Sequence, residues 1–221
     1  MASRLPPRVR LALSIGLGCV VGVLAVLLAT GGASRSPRSA VVDGFAGARL
    51  PPGVPPADFA LRDQDGRLVR LSDYAGHVVI LTFLYSTCQD TCPVIAQQIR
   101  GALDQLGHRV PALAVSVDPT GDTPLNARRF LVKQSVAGRL DFLLGTRPAL
   151  APIWRAFGVG PQTGGKGARS DHSVDTVLLD PTGRPRIGYQ SDLLTPEALA
   201  HDIRRLQAEP IPAHGPARVV L

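Results

Sequence analysis

Seven consecutive residues, His77 to Phe83 (HVVILTF), set the strongest limit on what this chain can fold into. The run is rich in β-branched and aliphatic side chains and too short for a typical helix, so it predicts a central strand buried on both faces of a sheet. Further segments repeat the theme. A helix is expected over Val94, Ile95, Ile99, Ala102, Leu103 and Leu106, which fall at helical spacing, with Pro93 in its first turn. Val110–Val117 is a second buried strand, interrupted early by Pro111. Thr123 or Asp122 caps a helix running to about Lys133. Leu140–Leu144 reads as a short strand, Pro148–Phe157 as a short helix, and Gly158–Arg169 as a Gly-rich loop. Two strands, Val174–Leu179 and Arg186–Tyr189, precede a last helix over Thr195–Gln207, with Thr195 as cap and Pro196 in first position. Ahead of them all, Phe59–Leu61 and Leu68–Leu71 flank an Asp65-Gly66 step that marks a hairpin. This alternation predicts an α/β sheet with helices on both faces, closed by an antiparallel pair and extended by an N-terminal β-hairpin.

Composition narrows the function. The 221 residues are 45% hydrophobic and 19% charged, a globular balance that excludes collagen, coiled coil and general disorder. The net charge of +7 suggests a nucleic-acid binder at first sight. Five arginines (Arg4, Arg8, Arg10, Arg35, Arg38) and no acid lie in the first 40 residues, however, which leaves +2 for the rest. A near-neutral domain lacks the footprint that phosphate binding needs, so no nucleic-acid partner is expected.

Leu11–Thr30 is a 20-residue stretch without a charge, long enough to span a hydrocarbon core. The arginines before it outweigh those after it, which puts the N-terminus in the cytoplasm and the remainder on the extracytoplasmic face. The alternatives are a signal peptide cleaved near Gly31 and Ala33, or lipidation at Cys19. The length of the stretch favours an uncleaved, single-pass anchor. Cys19 lacks the large aliphatic residue expected three places before a lipidated cysteine, so it reads as a buried membrane residue. The expected organisation is a transmembrane anchor (1–33), a Pro/Gly-rich tether (34–57), one α/β domain (58–208) and a flexible tail (209–221). No internal repeat, Gly-rich phosphate loop, nucleophile elbow or zinc-type paired cysteine motif is present.

Outside the anchor only Cys88 and Cys92 remain, too few for a stapled scaffold and placed where a disulfide can form. They leave the end of a buried strand and enter a helix N-terminus, where free N–H groups and the helix dipole favour thiolate, so they read as a reactive redox pair. Pro93 is expected to push Cys92 away from helical geometry and to give a looser loop than Cys-x-x-Cys. Of the five histidines, His77 opens the strand, His108 lies in a helix-to-strand turn, His201 is on the last helix and His214 is in the tail. His172 sits in a polar turn, Ser170-Asp171-His172-Ser173, at the end of the Gly-rich loop. Spacing alone leaves it a surface histidine. Two thiolates and an imidazole would form a soft set suited to Cu(I), with Cu(II) tolerated. Zinc needs a fourth ligand, for which Asp90 or Asp171 is at hand.

The segment from Phe83 through Cys88-Gln89-Asp90-Thr91-Cys92-Pro93 is followed by Ser116-Val117-Asp118-Pro119 with Asp122-Thr123-Pro124. Asp171-His172-Ser173 and Leu178-Leu179-Asp180-Pro181 with Gly183 complete the series. Together, over about Asp58 to Gln207, they resemble the Sco/SenC family of membrane-anchored, thioredoxin-like copper proteins. The resemblance implies a thioredoxin-like fold, copper held by Cys88, Cys92 and His172, and delivery to the binuclear copper site of cytochrome c oxidase subunit II or reduction of that site's thiols. A thiol reductant is the further partner. It also puts Asp118, Asp122 and Pro124 on a family signature, here read as capping the following helix. Gln89 stands where many members have Pro, which bears on the stiffness of the loop. The rivals are an extracytoplasmic thiol-disulfide oxidoreductase using the same dithiol, and a peroxidase. The Pro and spaced Thr of a peroxidatic pocket do not precede Cys88.

Overall fold

A computed structural model describes residues 44–51, 57–160, 176–210 and 219–220. Among these residues ten strands are formed: β1 (Ala48–Arg49), β2 (Ala57–Asp58), β3 (Ala60–Arg62), β4 (Leu68–Arg70), β5 (Val79–Leu84), β6 (Ala112–Ser116), β7 (Asp141–Leu143), β8 (Thr176–Leu179), β9 (Pro185–Tyr189) and β10 (Val219–Val220). Four α-helices accompany them: α1 (Thr91–Leu106), α2 (Pro124–Lys133), α3 (Arg147–Ala156) and α4 (Pro196–Ala208). The main sheet has six strands in the order β1-β9-β8-β5-β6-β7, while β3 with β4 and β2 with β10 form separate pairs. β5, β6 and β7 run parallel, and β8 and β9 return antiparallel to close the other half.

The central position expected for the apolar run is occupied by β5, every residue of which is buried. It begins at Val79 rather than His77, because the His77 N–H is used in a turn to the Tyr74 carbonyl (3.0 Å). Alternation along the strands divides the core in two. Val78, Ile80 and Leu84 face α1, α2 and α4 in one cluster. Val79, Leu81 and Phe83 face the hairpin and α3 in the other. Each such aliphatic side chain contributes about 1.5–3 kcal/mol on burial. Polar Thr82 is tolerated inside because its hydroxyl meets that of Thr176 on β8 at 3.0 Å.

The helices obey their sequence signals. Thr123 and Thr195 cap α2 and α4, accepting from the N–H groups of Asn126 and Ala198, and α1 ends at Gly107 in the left-handed conformation. The hairpin of β3 and β4 is fastened beside β7: Gln64 Oε1 accepts from Phe142 N–H at 2.7 Å, and Leu144 N–H donates to the Arg62 carbonyl at 2.7 Å.

A buried carboxylate attaches the segment that precedes β1. Asp202, on the core face of α4, accepts from Ala46 N–H (2.8 Å), Gly47 N–H (2.9 Å) and the Tyr189 hydroxyl (2.5 Å). Phe45 is buried there between the guanidinium groups of Arg49 and Arg205, at 5.1 and 5.0 Å from its ring centre. Gly47 is required, since a Cβ would lie 2.5 Å from Ile187 and 2.7 Å from Tyr189. Among the described residues no helix is long and apolar enough to cross a membrane; the expected anchor over residues 11–30 lies outside them.

Candidate functional site

β5 and β6 deliver their carboxyl ends side by side, the place where open α/β sheets present ligand sites. From the end of β5 the chain makes a tight turn, Tyr85-Ser86-Thr87-Cys88, closed by Cys88 N–H donating to the Tyr85 carbonyl at 3.2 Å. Cys88 ends this turn and Cys92 lies in the first turn of α1; neither is in a disulfide and both are buried. The structure thus brings together the two cysteines predicted as the reactive pair.

Their geometry differs from the expectation in one respect. Cys92 is not pushed out of helical geometry by Pro93, because α1 already starts at Thr91. Pro93 falls within the first turn, where its missing N–H would have had no intrahelical partner, so the ring is accommodated without disturbing Cys92.

The electrostatics favour thiolate at Cys88. Asp90, at the N-cap position of α1, makes no side-chain capping hydrogen bond. The N–H of Cys92, in the first turn of α1, instead donates to Cys88 Sγ at 3.3 Å, so the sulfur occupies the role of a cap. The Cys88 thiol is pulled down to about 5, first by a hydrogen bond from the Cys92 thiol. Burial opposes the shift, while the N–H groups of Asp90 and Cys92 and the Tyr85 side chain add to it. At neutral pH Cys88 is therefore a thiolate, the form that attacks disulfides and ligates soft metal ions.

Of the two candidate caps, Thr123 caps α2 and Asp122 does not. The Asp122 carboxylate is buried under the cysteine turn instead. Its Oδ1 accepts from both the N–H and the hydroxyl of Ser86, each at 2.6 Å, and its Oδ2 accepts from the Ser116 hydroxyl at 2.5 Å. Burial raises its pKa, and the bonds from Ser116 and Ser86 offset part of that shift. Ser116 is held in turn, since its carbonyl accepts from the Trp154 indole at 2.9 Å and its hydroxyl from Asp118 N–H at 3.2 Å. Asp118 shapes the intervening loop by accepting from Gly121 N–H at 3.0 Å. Pro124 takes the first position of α2.

His172 and Asp171 lie outside the described residues, as do His214 and Cys19. Among the described residues no three His, Cys, Asp or Glu side chains gather as a metal site. Asp90 is exposed beside the pair. His108 and His201 are engaged elsewhere. His108 Nδ1 lies 3.0 Å from the Leu106 carbonyl, at a cavity of about 450 Å³ beyond the far end of α1, and His201 Nε2 lies 3.0 Å from the Gly44 carbonyl. Sequence reasoning missed Ser86, Ser116 and Tyr85 as parts of the site. Only the position of Ser86 two residues before a reactive cysteine hinted at a role.

Comparison with known proteins bears on the family and the fold. The family profile described as SCO1/SenC matches residues 53–208. Bovine mitochondrial protein SCO2 homolog is 30% identical over 160 residues, covering 68% of this chain and 59% of that protein. Protein SenC of Rhodobacter capsulatus is 30% identical over 155 residues, covering 66% and 67%. The chain thus spans about three fifths of the length of the bovine relative. Among solved structures, apo Sco1 from Thermus thermophilus superposes with a TM-score of 0.60 at 29% identity, covering 73% of this chain and 96% of that one. ScoI from Bradyrhizobium japonicum with copper bound gives 0.52 at 27% identity, covering 68% and 98%. The fold is the thioredoxin-like α/β arrangement of these structures.

Proposed function

This chain belongs to the SCO1/SenC family, and we propose that it is a copper metallochaperone in which Cys88, Cys92 and His172 hold one copper ion as cargo. The acceptor is the binuclear copper site of cytochrome c oxidase subunit II, to which the chain delivers copper or whose thiols it reduces. The observation that carries this reading is the pair of reduced cysteines at the strand-to-helix junction, one of them pulled down to about 5. A soft metal binds thiolate rather than thiol, and Cys88 offers one at neutral pH. Copper is bound in the Bradyrhizobium ScoI structure, at 27% identity.

The redox state of the pair gates loading. A Cys88–Cys92 disulfide offers no thiolate. Two equivalents of a thiol reductant supply two electrons and two protons, regenerate both thiols and leave as their own disulfide. Loaded copper passes to the acceptor by exchange of one thiolate for another. In this reading Leu11–Thr30 anchors the chain in the cytoplasmic membrane with the domain on the extracytoplasmic face. Donor and acceptor then meet at one surface and at raised effective concentration.

The lowered Cys88 thiol also favours a second reading, a thiol-disulfide oxidoreductase in which Cys88 attacks and Cys92 resolves. One experiment separates the two. The reduced full-length chain is titrated anaerobically with Cu(I) and with Cu(II), beside Cys88→Ala, Cys92→Ala and His172→Ala. The expected result is one tightly bound copper, lost with either cysteine and weakened at least about tenfold by H172A, whose dithiol still reduces disulfides. A wild-type chain that binds no copper yet readily reduces protein disulfides is the oxidoreductase instead. Unaltered copper affinity in H172A removes the third ligand.

A further inference from the structure

The turn that presents Cys88 has one residue held twice by the same oxygen. Ser86 directs its N–H and its hydroxyl to Asp122 Oδ1, 36 residues away, while Oδ2 is taken by Ser116 at the end of the neighbouring strand. No regular ladder fixes residues 85–88, because β5 ends at Leu84 and α1 begins at Thr91. The Tyr85–Cys88 turn bond alone does not say where the turn points. The Asp122 carboxylate does, because it is itself buried and anchored: its own N–H donates to the Asp118 carbonyl at 2.9 Å, and Asp118 N–H donates to Ser116 Oγ. With the turn so held, Cys88 Sγ stays within reach of the Cys92 N–H at the mouth of α1. That contact belongs to the dithiol state seen here and rewards a negative sulfur.

We propose that Asp122 is a positioning residue for the dithiol, holding the Cys88 turn through Ser86 so that the pair favours its reduced, metal-ready state. The inference rests on reading Cys88 and Cys92 as the working pair. It does not depend on which metal or acceptor they serve. Asp122 touches neither cysteine in this role; it acts through the N–H and hydroxyl of Ser86.

The test is the equilibrium of the full-length chain with glutathione. One glutathione disulfide takes two electrons and two protons from the Cys88–Cys92 thiols, forming the intramolecular disulfide and two reduced glutathiones. Removing the acceptor with Asp122→Ala is expected to move this equilibrium about tenfold toward the protein disulfide. Ser86→Ala leaves one of two bonds to Oδ1 and is expected to move it roughly threefold in the same direction. Ser116→Ala takes one hydroxyl from the same carboxylate but none from the turn, and should stay within about twofold of wild type. Asp122→Asn keeps an oxygen for both Ser86 donors and should recover most of the loss. Values for D122A and S86A within about twofold of wild type would overturn the proposal, as would a shift in S116A as large as that in S86A, which is what general loosening produces. Should D122A fail to fold, the S86A and S116A pair decides alone. No copper enters this measurement, so an inability to bind copper would overturn the chaperone reading and leave this one standing.

Discussion

Two buried aspartates, Asp122 in the loop before α2 and Asp202 on α4, do the same chemistry at two places beside the sheet and serve different ends. Each carboxylate accepts three hydrogen bonds, two of them from backbone N–H groups at Asp202 and one at Asp122. Asp202 ties the chain entering the domain to the last helix, where Phe45, Gly47 and Tyr189 pack around it. Asp122 ties a turn that carries a reactive thiol to the end of a neighbouring strand. One bond network therefore secures attachment and the other secures the placement of a sulfur. Their surroundings explain the difference: Asp202 is met by a fully packed aromatic, whereas the segment over Asp122 is a short turn with an exposed tip at Thr87.

The strongest way to break this comparison is Asp202→Ala. It strands two backbone N–H groups and the Tyr189 hydroxyl inside the core, and should cost about 3–5 kcal/mol in urea unfolding. The same variant should leave the glutathione equilibrium of the dithiol unchanged. A redox shift in D202A as large as that in D122A would mean that the two carboxylates are not functionally distinct.

A second, smaller effect separates the two ends by pH. Burial raises the folded Asp122 carboxyl, so its contribution to stability is full below the ordinary carboxylate range and is lost as pH rises through the folded value. Cys88 runs the other way. Its thiol is lowered to about 5, so its contribution is full above the ordinary thiol range and is lost as pH falls through about 5. Alkylation of Cys88 should accordingly rise through pH values near 5 and be flat through neutrality. In Cys92→Ala, which removes the main hydrogen bond to the sulfur, the midpoint should climb by about one unit or more. A midpoint that stays put in C92A would show that the helix N–H groups alone set the thiolate.

The smallest effect sharpens the Asp202 side. Tyr189→Phe keeps the buried ring and removes one donor, leaving two backbone N–H groups on the carboxylate, and should cost about 1 kcal/mol in urea unfolding. Burial and the neighbouring carboxylate push the tyrosine hydroxyl well above its ordinary range, so it acts as a donor at every accessible pH. A loss as large as that of D202A would show that the hydroxyl, rather than the N–H pair, holds the segment.

The elements were legible where the signal is local. The apolar run became β5, the capped Thr-Pro steps opened α2 and α4, and the Asp65-Gly66 step made the hairpin. The cysteines were legible as a pair because a buried strand ran into them. Pro93 falls in the first turn of α1 as its position predicts, but its expected push on Cys92 does not occur, because α1 already starts at Thr91 and a proline in a first turn costs no intrahelical bond. Asp122 was assigned to a cap because only its sequence neighbours were visible, while its partners Ser86 and Ser116 come from two other segments that only the sheet aligns. Asp202 carried a readable sign that was not used: an acid on the same helical face as Leu199, Ile203 and Leu206 must either find donors or leave the core.

The fastening of Gln64 and Arg62 along β7 has a consequence for how copies of this chain behave together. The outward N–H groups of Phe142 and Leu144 are both taken, and the opposite rim of the sheet is only the two residues of β1. Among the described residues neither rim offers another molecule a row of open donors long enough to add a strand, so the rims described do not template edge-to-edge aggregation of this sheet.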